Sequence, residues 1–165
     1  MVARYQEDIG WTEHLPPGWN TIVVQKGDQV PNEGRESLSY LWAFTHTEYN
    51  PDDVLLCVQG APFTHTPGLI HELYFGEWDR YTPLPGWEVT CDGNGEPHHK
   101  GLPVGEAYEE WFGRKFPGEV SFTAGAQFAV TGREARRDWG VWMDRCKTEH
   151  GPWLMERFWK VIFNG

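Results

Sequence analysis

The sequence predicts an α/β domain with a mainly parallel sheet flanked by helices. Two observations carry this. Short apolar runs at residues 1–5 (MVARY), 21–25 (TIVVQ) and 53–58 (DVLLCV) alternate with helical patterns, a strand–helix–strand–helix–strand rhythm. The second run is apolar enough to be covered on both faces, as strands of parallel sheets are.

Taken in order, residues 1–5 read as a strand followed by the polar turn Gln6-Glu7-Asp8. Residues 9–15 suit one or two helical turns, stopped by Pro16-Pro17-Gly18. The strand at 21–25 closes in Lys26-Gly27-Asp28. A helix starts after Arg35, with Leu38, Leu41, Trp42 and Thr45 on one face. The third strand, 53–58, ends at Gln59-Gly60. Residues 60–118 are rich in Pro, Gly, His and Trp and show few periods, with helices expected at 70–75 and 106–112. A long irregular stretch of this kind is often functional. Residues 120–131 (VSFTAGAQFAVT) read as a strand with a glycine bend at Gly125. Alternation there puts Gln127 and Ala129 opposite Phe128 and Val130. Ala135, Trp139, Trp142, Met143 and Cys146 mark an amphipathic helix. Pro152 opens the last one at a favoured first position, with Leu154, Phe158, Val161 and Ile162 inward.

At 165 residues the chain fits one domain, residues 1–165, large enough for a real core. Its ten tryptophans suit either an aromatic core or platforms for flat ligands such as sugar rings. A net charge of −10 argues against nucleic acid as the main partner, since that affinity rests on basic side chains. Cys57, Cys91 and Cys146 form neither a disulfide framework nor a metal-binding pair. Cys57 and Cys146 read as small apolar fillers and Cys91 as loop. With no signal peptide and no membrane-spanning run, the expected location is cytoplasmic.

The segment VPNEGRESLSYLWAFTH at 30–46 is the richest in chemistry. It sets Asn32, Gly34, Arg35 and Glu36 around one helix N-terminus, whose unpaired N–H groups and positive dipole favour anionic or hydroxyl-rich ligands. The same residues also suit a plain cap, turn and surface ion pair. Residues 4–8, 26–28 and 59–62 fall at C-terminal strand ends, where such sheets bind ligands. No nucleophile elbow, phosphate loop, zinc-protease helix or dinucleotide fingerprint is present.

In order, ARYQED-x2-W, QKG, PNEGRES-x2-YL, CVQGAPFTH, GAQFAV and ERFWKVIF resemble an uncharacterised family common in fungal proteins, from Ala3 to Phe163. More distantly, the layout resembles a reduced GT-A glycosyltransferase, a Rossmann-like fold that binds nucleotide sugars. The Asn-x-Gly-Arg-Glu cluster is similar to the Asn-x-Gly-Arg-Asp signature of rhamnan-synthesis-type enzymes. That resemblance implies transfer of a sugar from a nucleotide-sugar donor to an acceptor, with Mn2+ or Mg2+ as the usual cofactor. One departure matters: GT-A enzymes carry a metal-binding Asp-x-Asp after the central strand, where this chain has Gln59-Gly60-Ala61.

On this reading Arg4, Asp8, Asn32, Arg35, Glu36 and Gln127 bind substrate, and Glu156, His65 and Gln59 shape the reacting centre, with Glu156 as general base. Asp92 is the nearest replacement carboxylate for a metal. Asp92, Glu96, His98 and His99 make a metal-like cluster by composition, the basis of a metal-dependent hydrolase as a further reading. The rival from another class is a non-catalytic carbohydrate-binding or interaction module on a degenerate form of the same fold.

Overall fold

The computed structural model describes residues 1–165. Strands β1 (Val2–Arg4), β2 (Val23–Gln25) and β3 (Val54–Gln59) form where the apolar runs predict them. The first helix, α1 (Arg35–His46), connects β2 to β3 and packs across β1, β2 and β3. The chain continues through α2 (Leu69–Phe75), β4 (Tyr81–Pro83), β5 (Glu88–Cys91), α3 (Val104–Phe112), β6 (Val120–Thr123) and β7 (Phe128–Thr131). It ends in α4 (Gly132–Ala135), α5 (Gly140–Cys146) and α6 (Gly151–Asn164).

A mixed sheet of order β2-β1-β3-β7-β4 organises the molecule, and β5-β6 form a separate two-stranded sheet. The expectation of a mainly parallel sheet is corrected. β1 pairs parallel with β2 and β3, whereas β3-β7, β7-β4 and β5-β6 are all antiparallel. The cause is local. β6 leads into β7 through only Ala124–Gln127, beside the C-terminal end of β3, and four residues cannot carry a crossover to the sheet's other end. β7 must therefore start there and run back against β3.

Side-chain alternation divides the sheet between two apolar layers. Met1, Ala3, Leu55, Cys57, Phe128 and Val130 join the larger core, with residues of α1, α5 and α6. Val2, Leu56, Val58 and Ala129 face a smaller one, closed by Leu69 and Leu73 of α2 and flanked by Trp11, Trp19 and Trp78. Ala129 thus lies on the face opposite Phe128 and Val130, as the alternation predicts.

Three further expectations change. The single strand at 120–131 is two strands in different sheets, because Gly125 (φ 101°) and Ala126 (φ 51°) turn the chain. The helix expected through Ala135–Cys146 is broken. Trp139 donates its indole N–H to the Ala135 carbonyl at 2.8 Å, and Asp138 accepts from Gly140 N at 2.9 Å, so side chains close one helix and open the next. Cys91 is not loop but a buried strand residue. Burial pushes the thiols up, to about 12 for Cys57 and Cys146 and about 11 for Cys91. No helix is long and apolar enough to cross a membrane.

Candidate functional site

Strand order reverses at β1, whose neighbours β2 and β3 are reached by connections leaving in opposite directions. Arg4 and Gln59 end β1 and β3 on the same edge. The Arg4 guanidinium donates to the Glu7 carbonyl at 2.9 Å and to Gln25 Oε1 at 3.2 Å. The Glu7 carboxylate accepts from the backbone N–H of Tyr5 (2.6 Å) and Gln6 (3.1 Å). Burial works to raise its pKa, but these bonds and the nearby Lys26 charge together hold it below the ordinary value. Glu7 lies against Gly60, where any Cβ would come within 2.8 Å of it, and Trp11 donates to the Gly60 carbonyl at 2.8 Å. Asp8 is exposed and accepts from Gly10 N at 2.8 Å, fixing the short 3-10 turn that follows.

Four of the sequence-predicted residues meet at one turn, 124–127. Gln59 donates its amide to the Gly125 carbonyl at 2.9 Å, and Glu156 accepts from Gly125 N at 2.7 Å. Buried Gln127 donates to the Pro62 carbonyl (3.1 Å) and Thr66 Oγ1 (3.0 Å). The His65 ring fills the space beside Gly125, where a Cβ would stand 2.5 Å from its Cγ, and His65 Nδ1 is buried without a partner.

Behind the turn lies an ion network around Arg157, which is 1% exposed. Its guanidinium reaches Glu156 Oε2 at 2.8 Å, Glu96 Oε1 at 2.6 Å and the Trp153 carbonyl at 2.9 Å, and stacks on Phe122 at 4.6 Å. His99 Nδ1 contacts Glu96 Oε1 at 2.5 Å. Burial would raise the Glu96 pKa, yet the hydrogen bonds from His99 and Arg157 outweigh it and hold the carboxyl below its ordinary value. The sequence grouped Glu96 and His99 with Asp92 and His98. The structure instead ties Glu96 and His99 to Arg157, while Asp92 accepts from Asn94 N at 2.7 Å in an exposed turn. No three His, Cys, Asp or Glu side chains converge as a metal-holding group. The partnership was signalled by Arg157 itself, a charged residue within the apolar stripe of Leu154, Phe158 and Ile162.

At the start of α1, Gly34 (φ 67°) and Arg35 (φ 48°) turn the chain into the helix. Arg35 stays partly exposed, 3.5 Å from Glu36 Oε2 and 5.9 Å from the Trp153 ring centre. Asn32 is exposed and makes no capping bond; Gly34 occupies the cap. Trp153 also faces His99, at 6.3 Å between rings. The Tyr40 hydroxyl is buried and unpartnered, and its pKa is raised, first by burial and then by charges that include Glu36 and Glu156. Arg35 and His99 thus both approach the Trp153 ring, and the charges of Glu36 and Glu156 are both felt at Tyr40.

Neither a protein-family model nor any curated protein or solved structure matches this chain. The site must be judged by its own chemistry. It offers cations at a helix N-terminus and a strand end, a carboxylate paired with arginine, and aromatic rings alongside. Several open concavities lie elsewhere on the molecule. One of about 610 Å3, bounded by Thr47, Tyr49, Asn50, Asp53 and Arg136, sits at the opposite end of β3. Its Arg136 is committed to the carbonyl and ring of Tyr49. Nothing there gathers groups suited to chemistry.

Proposed function

We propose that this chain is a glycosyltransferase-like domain of reduced GT-A type, which takes a sugar from a nucleotide-linked donor at the C-terminal edge of β1 and β3. The supporting observation is the convergence of Gln59, His65, Gln127 and Glu156 on one turn at the point where strand order reverses. That is where open α/β sheets take ligands. Arg35 and the first N–H groups of α1 receive the diphosphate; Arg4 supplies a second cation on the same edge. The acceptor hydroxyl attacks the anomeric carbon as the bond from that carbon to the phosphate oxygen breaks. The proton passes to Glu156 and the nucleoside diphosphate leaves. With no carboxylate pair to hold a cation, charge on the leaving group falls to the arginines.

A second reading is favoured by one observation. Gln59, Gln127 and Glu156 already spend hydrogen bonds on the turn, which suits a non-catalytic sugar-binding module. Glu156→Gln separates the two, because Gln Oε1 still accepts from Gly125 N while the basic carboxylate is gone. Thermal shift against UDP-, GDP-, CMP- and dTDP-sugars, with and without manganese, reads binding. For a transferase, one nucleotide raises the melting temperature of both proteins, and the substitution lowers turnover about 100-fold or more. Equal turnover in both proteins sinks Glu156 as base. No shift across the panel sinks the donor site.

A further inference from the structure

Of the ten tryptophans, Trp87 alone lies open, with 67% of its surface exposed. Its position is fixed rather than loose. The Trp87 carbonyl accepts from Ala124 N at 2.9 Å, and buried Leu84 donates its N–H to the Gln127 carbonyl at 3.0 Å. Gly86 is wedged so that any Cβ would lie 3.0 Å from the His65 carbonyl and 3.1 Å from Thr123. The loop holding Trp87 is thus fastened to the turn that Glu156 and Gln59 grip. Its indole meets the His65 ring edge to face, with centroids 6.0 Å apart. His65 buries Nδ1 against Gly125, leaving Nε2 as the nitrogen able to meet a ligand.

We infer that Trp87 and His65 form a glycan subsite that stacks one pyranose ring of the acceptor and presents its hydroxyls toward Glu156. A pyranose has an apolar face of C–H groups and a polar rim. One open indole flanked by a histidine ring matches that amphipathic shape. A protein partner would call for a continuous apolar patch. Here the residues next in sequence are Pro85, Gly86 and Glu88, all exposed. Calling this ring the acceptor rests on the transfer reading; the stacking itself does not.

The test titrates cello-, chito- and manno-oligosaccharides into the wild type, Trp87→Ala and Trp87→Tyr by calorimetry, with the nucleotide-sugar thermal-shift panel run in parallel. The expected result is binding of one oligosaccharide series by the wild type. Trp87→Ala should bind about tenfold more weakly, and Trp87→Tyr should stay within about threefold of wild type. Because the ring is exposed, all three should melt at the same temperature, which guards against misfolding. Equal binding by Trp87→Ala overturns the subsite, and so does a wild type that binds none of the three series at millimolar concentration. The parallel panel keeps the two ideas apart. A nucleotide response without glycan binding sinks only the subsite. Glycan binding lost in Trp87→Ala, without any nucleotide response, upholds the subsite and sinks the transferase.

Discussion

Glu96 carries the clearest pH signature of any single residue. Its folded pKa lies below the ordinary 4.5, so on acidification the unfolded chain takes up a proton there first. The stability it contributes is fully present above about pH 4.5 and is lost as pH falls through the folded value. Glu96→Gln keeps an acceptor for Arg157 but no ionisable group. It should be less stable than the wild type at neutral pH, with the gap closing below pH 4.5 in urea midpoints taken from pH 7 to 3. A gap that stays constant would mean the carboxylate charge does nothing for the fold. At this scale the sequence was only half legible. It singled out Glu96 and His99, but chemical type alone grouped them with Asp92 and His98. Only the fold, which brings Arg157 across 61 positions onto Glu96 and against Phe122, decides that the partner is an arginine.

Among the elements, the turn 124–127 has most to lose from a small change. Gly125 has φ 101°, and a methyl group there would sit 2.5 Å from the His65 ring. Gly125→Ala therefore combines backbone strain with overpacking and should cost about 2–4 kcal/mol, read as a lower denaturant midpoint. An unchanged midpoint would show that the turn adjusts freely. The glycine was visible in the sequence as a bend. What hid the change of sheet is that the pairing partners lie far away, Cys91 for Val120 and Cys57 for Phe128. α1, α6 and β3 were legible because each buries a face long enough to impose a period. β4 and β5 were not: three or four residues, half open to solvent, carry no pattern, and β4 ends in Pro83 at a sheet edge.

Across the whole molecule, the two apolar cores share the strands β1, β3 and β7, so neither layer can melt without exposing the other. Unfolding should be a single transition, and amides of β3 and β7 should exchange most slowly with deuterated solvent. Faster exchange in β3 than in the edge strand β2 would contradict this. The site belongs to this scale as well. Gln59 and Gly125, or Glu96 and Arg157, are brought together by topology over more than sixty positions. Sequence spacing could nominate such residues but not join them.

The antiparallel insertion of β7 also has a meaning in time. During synthesis the parallel trio β2-β1-β3 emerges early, but the far side of β3 is capped only by residues 128–131, and β4 has nothing to pair with until they arrive. A growing chain that stops short of them leaves the Leu55–Val58 backbone as an open edge, the kind of template on which strands of other copies add. The sheet is completed from its middle rather than its margin, so the nascent protein is most vulnerable just before its last quarter is made.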